Sequence, residues 1–244
     1  MPQTGSGAAE QQVAAYFAAQ GSGILQLSLS EIALNCGVSE PTVVRWCRHA
    51  GYTGLKHYKI ALALQAPAAE PIAEADSHSE IKRKVFAGCL DSVQTSLRTL
   101  DDDALARAVG LLAFARNIDV YATGGSAPIA SYLRHQLLKL GIRANIWSDR
   151  SSMMLSQSGL SPQDAVLAIS CTGATASVAD ALAAARGHGA ATLCITNSAD
   201  SAVARSADVV LVTAGGSFLG SNAYARLAQM AVVDTLFACL TVRQ

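Results

Sequence analysis

Two short loops carry the residues best suited to hold a small anion. The first is YATGGSAP, residues 121–128, where Gly124 and Gly125 let the chain turn sharply and Ser126 can cap a helix or turn its hydroxyl outward. The second is ISCTGATAS, residues 169–177, where Ser170, Thr172 and Thr175 surround Gly173. Each loop follows an apolar run and leads into a helical pattern, so each belongs at the carboxyl end of a strand with a helix start behind it. Free N–H groups, the positive end of a helix and several hydroxyls together favour a phosphate or another small anion. Ser and Thr cap many helices that bind nothing, so it is the pair of loops on one sheet edge that argues for a pocket. Neither GxGxxG nor GxxxxGK[ST] occurs, which leaves a dinucleotide or nucleoside triphosphate site with little support.

A second constellation is LSEIALNCGVSEPTVVRWCR, residues 29–48. It reads as two short helices joined by a tight turn. Ser30 is expected to cap the first helix, which buries Ile32, Ala33 and Cys36 and stops at Gly37. Ser39 caps the second, with Pro41 tolerated in its first turn. Val43, Trp46, Cys47 and Ala50 recur at helical spacing and predict a buried face. The opposite face carries Glu40, Thr42, Arg45, Arg48 and His49. A recognition helix in a major groove needs this arrangement, with Arg45 able to reach a guanine and Arg48, Lys56 and Lys59 suited to phosphates. A core hairpin in an all-helical domain is the plainer alternative.

The elements that position these residues fall into two sets. Residues 8–20 predict a first helix, the helix pair follows, and Leu55, Tyr58, Ile60, Leu62 and Leu64 supply another. The segment APAAEPIAEADSHS loses any apolar face and reads as a linker. The expected division is a helix-turn-helix domain at 1–65, a linker at 66–78 and a second domain at 79–244. Helices at 80–98 and 102–115 open that domain. Strands are expected at Ile118–Ala122, Ile142–Trp147, Ala165–Ser170, Ala191–Thr196 and Asp208–Thr213. Helices fill 127–140 and 174–187, and a long helix at 222–241 closes the chain. Apolar strands alternating with helices predict a five-stranded parallel sheet covered on both faces.

Composition narrows the classes further. The 244 residues carry a formal net charge of zero, so any attraction to nucleic acid must be local. No run reaches the roughly 18–20 uninterrupted apolar residues that span a bilayer, and the N-terminus lacks the pattern of a secretory signal. Six cysteines without CxxC or metal-ligand spacing predict small core residues, reduced thiols and a cytoplasmic setting. No metal ligands and no cofactor are expected. The six glutamates, Glu10, Glu31, Glu40, Glu70, Glu74 and Glu80, all precede the α/β body, and His135 and His188 are its only histidines. Catalytic residues are therefore not expected, and Cys171, with no histidine at a suggestive spacing, reads as a bystander. The basic run Lys82, Arg83, Lys84 reads as a charged helix face, with DNA contact the alternative.

On GVSEPTVVRWCRHAGYTGLKHYKIALA (37–63), YATGGSAPIASYLRHQLLKLG (121–141), ISCTGATASVADALAAARGHGA (169–190) and ARLAQMAVVDTLFACL (225–240), the chain closely resembles the RpiR-type bacterial transcriptional regulators. These join a helix-turn-helix domain to a sugar isomerase (SIS) domain. The resemblance implies duplex DNA as one partner and a phosphorylated sugar or sugar acid as effector, with most members acting as repressors. It maps phosphosugar contacts onto Gly124, Ser126, Ser170, Thr172, Gly173 and Thr175; Gly125 is a further candidate in the first loop, and Ser39 a further candidate DNA contact at the start of the second helix. The chain departs from the common pattern at Ala122, Gly125 and Ala174. SIS domains also occur in aldose–ketose isomerases, for which this chain lacks the glutamate base. A two-fold assembly would present two recognition helices to an inverted-repeat operator. The small residues Ala228, Val232, Thr235 and Cys239 on the closing helix are the expected contact stripe of a dimer or tetramer. No membrane association is expected.

Overall fold

A computed structural model describes residues 7–64, 71–216 and 222–242 and divides the chain into two compact units, residues 1–67 and 68–244. Residue 65 and the first part of the expected linker, 66–70, lie outside the described residues.

The first unit is all-helical: α1 (Ala8–Gln20), α2 (Leu29–Cys36), α3 (Glu40–His49) and α4 (Leu55–Leu64). The start of α2 departs from expectation. Ser28, not Ser30, is its cap, because Ser28 can accept from the Glu31 N–H while Glu31 reaches back to the Ser28 N–H at 2.6 Å. This reciprocal pairing satisfies two helix-end donors at once. Gly37 takes φ +65°, ψ +32°, and the Val38 N–H returns to Ala33 O, which turns the chain into α3. Val13, Phe17, Ile24, Ile32, Val43 and Cys47 form the core, with Phe17, Trp46 and Tyr58 stacked at centroid distances of 4.6–5.5 Å. Ala50, expected inside, is exposed because α3 ends at His49 and the chain has begun to turn.

In the second unit α5 (His78–Thr99) and α6 (Asp102–Phe114) precede β1 (Ile118–Tyr121), α7 (Ala127–Lys139), β2 (Ala144–Trp147), α8 (Arg150–Ser156), β3 (Ala165–Ile169), α9 (Ala176–Gly187), β4 (Ala191–Thr196), α10 (Ala202–Arg205), β5 (Val209–Val212) and α11 (Ala223–Val242). All strands are parallel, in the order β2-β1-β3-β4-β5. Alternate side chains of β3 explain the two covered faces. Ala165, Leu167 and Ile169 enter one core with α6, α7 and α11, while Val166 and Ala168 enter another with α8, α9 and α10. Each fully buried Leu, Ile or Val contributes roughly 1.5–3 kcal/mol. The short helices α8 and α10 are absent from the sequence reading, being too brief to establish a period.

Two packing details bear on function. The small-residue stripe of α11 is split: Ala228 and Val232 are buried in their own domain, while Thr235 and Cys239 are half-buried. Its first half is therefore not a free contact surface, because α11 packs there as a core helix against the sheet. The start of α11 is fixed by α5, where Ser92 Oγ donates to Ala214 O at 2.6 Å and lies 2.9 Å from Tyr224 O. Lys84 is engaged by Asp76 at 2.8 Å and by Pro71 O, which ties it to the linker side of α5.

Candidate functional site

The sheet order places β1 and β3 side by side, with the connections that follow them leaving in opposite directions. At that switch point both helices draw away and a crevice opens at the carboxyl ends of the strands. The two hydroxyl-bearing loops meet there. From β1 the chain passes buried Ala122, turns at Gly124 (φ +54°) and buries Ser126 just before α7. From β3 it passes buried Ser170, whose Oγ lies 3.3 Å from Thr175 Oγ1, and Thr172 Oγ1 accepts from the Ala174 N–H at 3.3 Å.

Gly173 makes the second loop possible. Its φ is +65°, and a Cβ placed there would sit 2.0 Å from Ser201 Oγ and 2.8 Å from Thr196 Oγ1. The loop is stapled to the next strand–helix connection by Asn197 N–H to Cys171 O (2.8 Å) and Val203 N–H to Gly173 O (3.1 Å). Together the loops enclose a cavity of about 390 Å³, lined by Thr123, Gly125, Ser126, Ile169, Ser170, Cys171, Thr172 and Thr175, with Asn222 and Arg226 from the start of α11. Burial raises the Cys171 thiol above its ordinary range, and the Arg226 charge works against that rise.

In the first unit, the buried carboxylate of Glu10 on α1 accepts from Arg45 Nε at 2.6 Å and lies 2.9 Å from His49 Nδ1. These bonds, from His49 and then Arg45, hold the Glu10 carboxyl below its ordinary value. Arg45 stays 59 % exposed, and only its Nε is engaged. Both Nη groups, the pair that a bidentate contact to guanine uses, take no partner among the described residues.

With that geometry in place, comparison with known proteins is direct. The helix-turn-helix domain of the rpiR family matches residues 1–68, and the SIS domain matches residues 111–239. The chain belongs to the RpiR family. It is 29 % identical over 217 residues to the HTH-type transcriptional regulator RpiR of Escherichia coli, covering 86 % of this chain and 73 % of that protein. It is 30 % identical over 228 residues to HexR of Pseudomonas aeruginosa, covering 90 % and 79 %. Among solved structures it is similar to the Vibrio vulnificus NanR protein complexed with ManNAc-6P, at 26 % identity and a TM-score of 0.64, covering 98 % of this chain and 88 % of that one.

The fold gathers most of the loop residues expected in this RpiR-family chain. Gly125, Ser126, Ser170, Thr172 and Thr175 line the cavity, while Gly124 and Gly173 set the backbone turns beneath it. The basic side chains Arg134, Lys139 and Arg143, before and along the elements that follow the first loop, are exposed and line no part of it. Arg143 precedes β2 and so lies at the opposite sheet edge. The polar lining side chains missed are Thr123, Asn222 and Arg226, and for Arg226 a signal existed. Because β5 is parallel, the connection after it begins at the ligand edge, and α11 must start near it. Cys171, read as a bystander, lines the cavity too.

On the helix-turn-helix, Ser39, Glu40, Arg45, Arg48, His49 and Lys56 are exposed. Thr42 is instead buried, its hydroxyl 3.0 Å from Ser39 Oγ, because it sits one turn before Trp46 on the inner side of α3. Lys59 is half-buried, with its ammonium donating to Leu27 O, and burial lowers its pKa.

Proposed function

We propose that this chain is a transcriptional regulator that binds duplex DNA through α3 and responds to a phosphorylated sugar or sugar acid held without turnover in the α/β domain. The observation that carries this reading is the lining of the switch-point cavity. Five hydroxyl side chains and one arginine converge there, and no carboxylate or imidazole is among the lining residues. Such a set binds an anion well. It offers no base to move a proton between adjacent carbons, as an aldose–ketose isomerase must. The NanR relative solved with ManNAc-6P agrees with a phosphosugar as the class of guest.

The remaining parts of the reading follow from the DNA-binding role. The protein acts in the cytoplasm, assembles as a homodimer or homotetramer, recognises an inverted-repeat operator and works as a repressor. Exposed Ser39, Glu40, Arg45, Arg48, His49 and Lys56 are its contacts to DNA. Buried Thr42 supports α3 rather than reading bases, and Lys59 steadies α4 against the Leu25–Leu27 turn.

A calorimetric screen of phosphosugars and phosphorylated sugar acids, with product analysis, tests the proposal. Hydrogen bonds to a charged partner contribute roughly 1.5–3 kcal/mol, so Thr172→Val is expected to weaken binding about ten-fold or more. Unchanged binding in that variant refutes the pocket. Measurable turnover refutes the sensor reading.

A further inference from the structure

The helix α5 is amphipathic in the inverse sense. The side it turns to its own domain is small and hydroxyl-bearing, with Gly88, Ser92, Ser96 and Thr99 buried. Close packing requires this: a Cβ on Gly88 would meet the Tyr224 ring at 2.5 Å, and the Ser92 and Ser96 hydroxyls bond the Ala214 backbone. The side it turns away carries Phe86, Leu90, Val93 and Leu97, which are 67, 62, 37 and 79 % exposed. Single exposed apolar residues are ordinary on a protein surface, but a continuous row of large ones marks a contact. Steps of four, three and four residues are those of the a/d seam along which one helix packs on another. No fold-internal helix takes that place, since α11 lies against the opposite, small-residue side of α5.

We infer that this row is the seam of a homodimer in which α5 of one chain lies antiparallel to α5 of a second copy. The inference rests on the homo-oligomer reading above and deepens it by naming the surface and the direction. Charge selects both. Exposed Lys82 stands four residues before Phe86 on the same flank, and exposed Asp102 and Asp103 stand just past Leu97, where α5 gives way to α6. A two-fold axis between Leu90 and Val93 sets Leu90 against the partner's Val93 and Phe86 against the partner's Leu97. The basic end of each helix then meets the acidic end of the other, once at each end of the seam. A parallel copy would set Lys82 beside the partner's Lys82 and acids beside acids, so repulsion disfavours it. The chain is its own complement only when the second copy runs the opposite way.

Analytical ultracentrifugation of the full-length protein at low salt, across the micromolar range, tests this with charge reversals. The wild type is expected to be dimeric. Lys82→Glu should weaken self-association about five-fold or more, because it turns an attraction into a repulsion at both ends of the seam. Asp102→Lys should do the same, and the two together should return it to within about two-fold of the wild type. A wild-type dimer that neither single reversal weakens overturns the inference and leaves the oligomer reading standing. A double reversal no tighter than the singles also overturns it, because the two charges then do not face each other. If Asp102→Lys melts early through loss of an acid from the first turn of α6, the salt dependence of Lys82→Glu decides. A loss that persists undiminished at high salt is not electrostatic and overturns the pairing. A wild type that stays monomeric throughout defeats the oligomer reading as well.

Discussion

Replacing Gly173 by alanine tests whether the second loop is built as described. Two costs add at this position. A non-glycine residue in the left-handed region at φ +65° loses about 1–2 kcal/mol. The new Cβ also lands 2.0 Å from Ser201 Oγ and 2.3 Å from Ser201 Cβ, so Ser201 must move. Overpacking of this kind costs about 1–3 kcal/mol. Ser201 Oγ also accepts from the Ala204 N–H as the cap of α10, and loss of such a cap adds about 1 kcal/mol. The sum is about 4 kcal/mol. For a domain of this size, that lowers the melting temperature by roughly 8–16 °C.

The control is Gly187→Ala, at the exposed end of α9, where a Cβ meets nothing within 4 Å and φ lies outside the left-handed region. It should change stability by less than about 1 kcal/mol. Differential scanning calorimetry of the full chain reads both variants, and phosphate titration reads the pocket. A Gly173→Ala protein that melts within about 2 °C of wild type would refute the steric argument. Normal phosphate affinity in it would show that the loop does not shape the site.

Other expectations follow from single contacts. Arg45→Ala should remove about 1–3 kcal/mol of base discrimination, read by selection of bound DNA fragments, and retained discrimination would sink the assignment. Glu10→Gln should weaken the same selection with the arginine intact, because Glu10 holds Arg45 Nε. At the far sheet edge, burial alone would raise the Asp164 carboxyl, but bonds from Ser161, Arg116 and Asn117 hold it below its ordinary 3.8. A depressed carboxylate contributes stability above pH 3.8 that is lost as pH falls through the lower folded value. Asp164→Asn should therefore flatten the acid limb of a pH–melting profile, and an unchanged limb would refute this. On α5, Phe86, Leu90, Val93 and Leu97 are exposed at intervals of four, three and four. Leu90→Asp with Leu97→Asp should convert a dimer to a monomer by light scattering, and an unchanged mass would exclude that face.

Most of the fold was legible because its signals are long. Five apolar strands separated by helical periods give a parallel sheet with few alternatives, and Gly37 and Ser39 mark the helix-turn-helix within a residue or two. The misplaced α2 cap shows where legibility ends. Ser28 and Ser30 are both capping residues, and the choice fell to the one that Glu31 could reach back to, a three-residue geometry in which either serine looks plausible on sequence alone. Thr42 failed for another reason. A helix ten residues long has two boundary positions between its faces, and Thr42 settles inward once its hydroxyl finds Ser39.

The pocket was half legible, and the division is physical. Loop residues lie next to one another in sequence, so Ser170, Thr172 and Thr175 announce themselves together. Arg226 lies fifty residues further on, in a helix whose apolar content hides it, and reaches the same cavity only because every strand runs the same way. Parallel topology brings each strand-to-helix connection to one edge, the last included. The first polar turn of the closing helix then becomes a wall of the pocket. That wall carries the one charge among the described lining residues, on the element that sequence periodicity marks as core.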